Sequence, residues 1–180
     1  MKICELVVSR WGYPAETVLR RPRREEVDAS GQGGRQWYDR RAMPSITSIR
    51  VRLEDTDATS VVHHGSYLTY FAVAWVEYLR EQGLPISEVN KRLHLPVVEA
   101  LVRYVKPARL DDLLEVTSRI GECRRASFTF FYEIRNEAGE MVATGYTRHV
   151  CLHPTTTKMI ALPDWLKESM PDVALGPADH

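Results

Sequence analysis

The chain has 180 residues, 44% hydrophobic and 27% charged, with a formal net charge of zero, the make-up of one ordinary globular domain. With 24 Lys and Arg against 24 Asp and Glu, it offers no excess of positive charge to nucleic acid or an anionic membrane surface. Cys4, Cys123 and Cys151 are too few and too far apart for a disulfide framework. No run approaches the roughly 18 apolar residues of a membrane span, and Glu5 and Arg10 interrupt any signal-peptide core, so a soluble cytoplasmic protein is expected.

Residues 1–42 differ from the rest. They carry nine Lys and Arg against six Asp and Glu and a Ser-Gly-Gln-Gly-Gly tract at 30–34, without helical or strand periodicity. They read as a poorly ordered basic extension. A docking arm or targeting peptide is the competing reading, and the acidic residues oppose targeting. The domain is expected over 43–170, with 171–180 as a loose Pro-Gly-Asp tail.

From Ile46 the pattern alternates, predicting a strand to Leu53 with Ile49, Val51 and Leu53 on one face. Next comes the acidic pair Asp55 and Asp57, then His63 and His64. A helix is predicted over 67–82, with Ser66 as N-cap and with Gly83 and Pro85 as the stop. Its apolar content, from Tyr67 through Phe71 and Trp75 to Leu79, predicts burial on most sides. A short helix follows at 86–93. Strands are then predicted at 95–105, 113–121, 126–136 and 141–153, joined by short turn-forming links, and a last helix at 163–170. Short links favour antiparallel pairing. One long apolar helix among five strands is best covered by a sheet wrapped around it, an α+β hotdog architecture.

Several residues carry candidate chemistry. Asp57 lies in Asp-Thr-Asp, which suits a catalytic carboxylate and equally an ordinary turn whose side chains bind nearby amides. Asp55 reads as a brace for the loop. His149, Cys151 and His153 alternate along one strand, but three in-line ligands make a poor tetrahedral metal set. No metal site is expected.

The blocks EDTDATSVVHHGSY, LPVVEALVRYVKPARLDDLLEV and RRASFTFFYEIRNEAGEMVATGYTRHV together resemble the 4-hydroxybenzoyl-CoA thioesterase family of hotdog proteins, in its broad acyl-CoA thioesterase branch. The likeness spans about residues 45–170. It implies hydrolysis of an acyl-CoA or acyl-carrier-protein thioester, with Asp57 as nucleophile or as general base on water. It also implies that a backbone amide at the start of the long helix, at His64 or Gly65, holds the thioester oxygen. Arg124 and Arg125 match basic positions that contact coenzyme A phosphates, and Tyr67 and Trp75 join them as substrate-binding positions. His64 matches a His or Tyr position assigned to loop bracing and substrate contact, whereas His63 reads as merely exposed.

No cofactor is implied, because coenzyme A is part of the substrate. The family places its site between subunits, so a homodimer or homotetramer is expected. Three departures stand out. Ser60 occupies a common glycine position, and Ala72 and Trp75 replace a Glu and an Arg, which makes that part of the pocket more apolar. These departures motivate an alternative, a non-catalytic acyl-CoA sensor or scaffold. A hydratase on the same fold would need a His and acid pairing that is not found here.

Overall fold

A computed structural model describes residues 44–170; the basic segment 1–42 and the tail 171–180 lie outside the described residues. Strand β1 is Ser45–Arg50, and a 3-10 turn follows at Leu53–Asp55. The long helix α1 is Ser66–Glu81 and the short helix α2 is Ile86–Arg92. Strands β2 (Val97–Tyr104), β3 (Leu113–Cys123), β4 (Ser127–Asn136) and β5 (Met141–Val150) come next, and α3 (Asp164–Glu168) closes the domain. The five strands form one sheet in the order β1-β3-β4-β5-β2, each neighbour antiparallel. This is the expected α+β hotdog arrangement, with α1 lying on the sheet.

The helix runs parallel to β3. Its start lies beside Ala108 and Asp112 and its last turns lie near Cys123. Tyr67, Tyr70, Phe71, Ala74, Tyr78 and Leu79 are buried, and their three- and four-residue spacing makes one stripe facing the sheet. Leu114, Val116 and Ile120 of β3 and Phe128, Phe130, Tyr132 and Ile134 of β4 meet that stripe at period two. Phe71 stacks on Tyr132 at 4.2 Å and Tyr78 sets its edge on Phe130 at 5.1 Å. Gly145 of β5 is required by this packing, since a Cβ there would lie 2.1 Å from the Leu101 carbonyl oxygen and 2.7 Å from the Phe71 ring.

Several expectations are corrected. The helix is not buried on most sides: Leu68 is 42% and Val73 40% exposed, because a single five-stranded sheet covers only one side of it. Ser66 is not the N-cap. Gly65 takes that position, and the Ser66 hydroxyl donates to the Asp55 carbonyl at 3.0 Å. Strand β1 ends at Arg50, and Leu53, in the 3-10 turn, is 75% exposed rather than aligned with buried Val51. The last strand stops at Val150, and the last helix is shorter than expected at both ends. Gly83 does supply the left-handed stop, at φ +76°, and Pro85 opens α2. No helix among the described residues is long and apolar enough to cross a membrane.

Candidate active site

The acidic loop folds back on itself between β1 and α1. Thr56 bridges Val62, the Asp57 amide donates to the Val61 carbonyl at 2.9 Å, and the Ser60 amide donates to the Asp57 carbonyl at 3.0 Å. Ser60 adopts φ +61°, so the left-handed bend that a glycine would make without strain is made here by serine. Val61 and Val62 anchor the returning arm to Arg109 and Ala108.

Asp57 sits at the tip, exposed. Its Oδ1 accepts from the Thr59 amide at 2.7 Å and from the Thr59 hydroxyl at 2.5 Å. These bonds, the hydroxyl's foremost, hold the carboxyl below the ordinary aspartate range; Val61 and the His63 imidazole add smaller pulls in the same direction. The turn chemistry weighed in the sequence is therefore present, and it favours an ionised carboxylate.

Asp55 braces the loop, as expected. Its Oδ2 accepts from the Arg52 amide at 2.9 Å, and its carbonyl accepts from the His63 amide at 2.8 Å and the Ser66 hydroxyl. The buried Tyr70 hydroxyl lies beside the Asp55 carboxylate without closing a hydrogen bond of good geometry. Burial first, and then that negative charge, push the tyrosine well above its usual pKa.

The start of α1 adjoins this loop. The Ser66 amide donates to the His63 carbonyl at 2.9 Å and the Gly65 amide to His63 Nδ1 at 3.1 Å. The His64 amide takes no partner among the described residues, so of the two amides expected to face a substrate oxygen it is the open one. Tyr104 at the end of β2 donates to the His64 carbonyl at 2.9 Å, and its ring meets Tyr67 edge-on at 5.2 Å. Tyr67 is buried with its hydroxyl near the Ala108 amide, and burial raises its pKa. It supports the helix start from beneath. Neither Tyr104, 40 residues along the chain, nor the His63 side-chain bond is part of the sequence reading.

Trp75 lies ten residues beyond Gly65, about 15 Å along the helix axis. It walls an open cleft of about 500 Å³ with Ile86, His94, Leu95, Pro96 and Leu152. Behind it His149 is fully buried, 4.9 Å from the Trp75 ring and stacked on Phe128 at 5.0 Å. The His149 Nδ1 faces the Leu95 carbonyl at 3.1 Å. Its Nε2 lies 2.9 Å from the Thr147 hydroxyl, which lies 2.9 Å from the Tyr132 hydroxyl. Burial lowers the His149 pKa, so this is a neutral, satisfied core histidine. His153 is exposed and accepts from the Thr155 and Thr156 amides, apart from His149. No group of three potential metal ligands occurs among the described residues.

Arg124 and Arg125 occupy the exposed link between β3 and β4, as the sequence suggests. In one chain they do not meet Asp57. The acidic loop is tied to residues 108–112 at the start of β3 and the arginines follow its end, about 30 Å away by strand rise.

Comparison with known proteins identifies the family. The "Thioesterase-like superfamily" profile matches residues 51–170. The acyl-CoA thioester hydrolase YbgC of Escherichia coli is 35% identical over 116 residues, covering 64% of this chain and 87% of that protein. A 1,4-dihydroxy-2-naphthoyl-CoA hydrolase of Thermosynechococcus vestitus is 32% identical over 125 residues, covering 66% and 86%. Among solved structures, the DHNA-CoA thioesterase of Staphylococcus aureus superposes with a TM-score of 0.66 at 33% identity, covering 70% of this chain and 87% of that one. An acidic turn opening onto the start of a sheet-backed helix, matched along its length by that profile, makes this chain a hotdog-fold thioesterase of the thioesterase-like superfamily.

Proposed function

We propose that the protein hydrolyses acyl-CoA thioesters, or the same thioesters on a carrier protein, with Asp57 as the catalytic carboxylate and the His64 amide as donor to the thioester oxygen. The observation that carries this reading is the pairing of a carboxylate whose pKa is lowered at Asp57 with an amide at the adjoining helix start, that of His64, which has no partner among the described residues. Asp57 either takes a proton from water as the water oxygen attacks the carbonyl carbon, or attacks that carbon itself to form a mixed anhydride that water then cleaves. In both routes the C–O bond forms, the C–S bond breaks and the thiolate leaves as free thiol. A donor at the oxyanion and the positive end of the helix dipole stabilise the charge that develops.

We also propose that the working unit pairs two chains along β2. This strand is an edge of the sheet among the described residues, and Val97, Val98, Leu101 and Tyr104 on it are exposed, so a second copy pairing there would cover apolar side chains and satisfy edge backbone groups. β2 runs from Pro96 at the Trp75 cleft to Tyr104 at the helix start. A two-fold axis across it brings each copy's cleft and Arg124–Arg125 link to the end where the other copy's Asp57 loop lies. The arginines then reach coenzyme A phosphates in a site to which their own Asp57 does not belong.

The substrates for which these relatives are named, acyl-CoA and 1,4-dihydroxy-2-naphthoyl-CoA, make aliphatic and aromatic thioesters both fair probes. The test is thiol release across short, long, branched and aromatic acyl-CoA. Turnover with a clear acyl preference supports the reading. Tight acyl-CoA binding without thiol release, on both CoA and carrier-protein thioesters, would leave the sensor reading instead.

A further inference from the structure

We propose that His63 is a positioning residue, whose imidazole Nδ1 holds the helix entrance so that the His64 amide faces the substrate. This rests on the thioesterase reading above and adds a residue to it.

The amides from His63 to Ser66 form a closed account except at one point. His63 donates to the Asp55 carbonyl at 2.8 Å, Gly65 to His63 Nδ1 at 3.1 Å and Ser66 to the His63 carbonyl at 2.9 Å. Of these four amides, only that of His64 is left without a partner among the described residues. Its neighbouring peptide, joining His64 to Gly65, is pinned at both ends: Tyr104 takes the carbonyl at 2.9 Å and His63 Nδ1 takes the N–H.

A helix start has several unpaired amides, and any of them can turn toward an anion. The His63 imidazole removes the competing Gly65 donor and fixes the plane next to the open one. The tautomer is set by the same bond, since Nδ1 must be bare to accept and the ring proton is then on Nε2. Fit is close: a Cβ on Gly65 would lie 3.2 Å from His63 Nδ1, so the cradle admits little more than glycine without moving the ring. The His64 ring lies against His63 with centroids 3.9 Å apart, which further limits its rotation.

The acceptor, not the imidazole as such, is what the geometry uses. Asparagine can present its side-chain oxygen to the amide two residues on, whereas leucine has no acceptor. Two readouts on the full chain test the idea. Amide hydrogen exchange at Gly65 should accelerate at least tenfold in His63→Leu and return to within about threefold of wild type in His63→Asn. With an acyl-CoA that the wild type turns over, kcat should fall about tenfold to a hundredfold in His63→Leu with KM within about threefold, and recover in His63→Asn, since a misplaced oxyanion donor is felt chiefly in the transition state.

Unchanged Gly65 exchange in His63→Leu, or unchanged kcat with exchange accelerated, would overturn the positioning role while leaving the thioesterase reading intact. Equal loss in both variants, with circular dichroism and melting unaltered, would overturn it too, because the acceptor would then not be what matters. Absence of thiol release from the wild type on every CoA and carrier-protein thioester overturns the reading and this role together.

Discussion

Thr59 gives both its amide and its hydroxyl to a single oxygen of Asp57, at 2.7 and 2.5 Å, so one residue supplies the two largest influences that lower the pKa of the carboxyl two positions before it. The hydroxyl is the larger of the influences that lower the Asp57 pKa. Thr59→Val removes that donor and keeps the amide and the side-chain shape. The Asp57 pKa should rise, and the acid limb of kcat/KM should move to higher pH, because ionisation then requires a higher pH. A pH–rate profile of the variant that superposes on the wild type would show that Asp57 does not govern the acid limb.

A site shared between copies has a distinctive signature in mixed oligomers. Asp57→Asn and the double variant Arg124→Ala/Arg125→Ala should each lose most of kcat/KM alone. Mixed in equal amounts and allowed to exchange, half the dimers are hybrids with one intact site in two, so activity should recover to about a quarter of wild type. A site built within one chain gives no recovery, since each hybrid site then carries one lesion.

Packing beneath the helix makes a stability prediction. Gly145→Ala drives a methyl into the Leu101 carbonyl oxygen and the Phe71 ring, and backbone cannot give way as a flexible side chain can. A loss of about 3 kcal/mol, or roughly 6–12 °C in melting temperature, is expected. Gly139→Ala, at φ +77° in open space, should cost only about 1 kcal/mol of backbone strain. Equal melting of the two variants would contradict the close approach at Gly145.

His149 predicts how stability changes with acid. Burial lowers its pKa from 6.5, so below that value the unfolded chain binds a proton that the folded one refuses. Its contribution is complete above about pH 6.5 and is lost as pH falls, with a slope of at most about 1.4 kcal/mol per pH unit. The urea midpoint should therefore drop between pH 7.5 and 5. His149→Leu should be less stable at pH 7.5 yet show a smaller drop; an equal or larger drop in the variant would count against a buried neutral histidine.

Much of this was legible in the sequence because the signals were local. Alternation located β1, turn-forming links marked off the four strands after the helices, Gly83 and Pro85 marked the helix end, and Asp-Thr-Asp announced the turn around Asp57. What the sequence hid depends on distance or on atoms. Tyr104 reaches the His64 carbonyl across 40 residues, and no pattern near either residue signals it. His63 uses one ring nitrogen on an amide two residues on, a bond with no compositional trace. The expected burial of α1 failed because apolar content reports what needs covering, not whether this chain supplies the cover. The distance between Arg124–Arg125 and Asp57 is likewise invisible to motif matching, which shows that residues belong to one chemistry without showing that they belong to one chain's site.

The most direct test of the account is single-variant thiol release. Asp57→Asn keeps the shape of the side chain and an oxygen for Thr59 while removing the negative charge. With an acyl-CoA that the wild type hydrolyses, kcat should fall by about a thousandfold while the melting temperature stays within a few degrees. Turnover within threefold of wild type in that variant would show that the carboxylate at the tip of the loop is a turn residue and that the chemistry lies elsewhere.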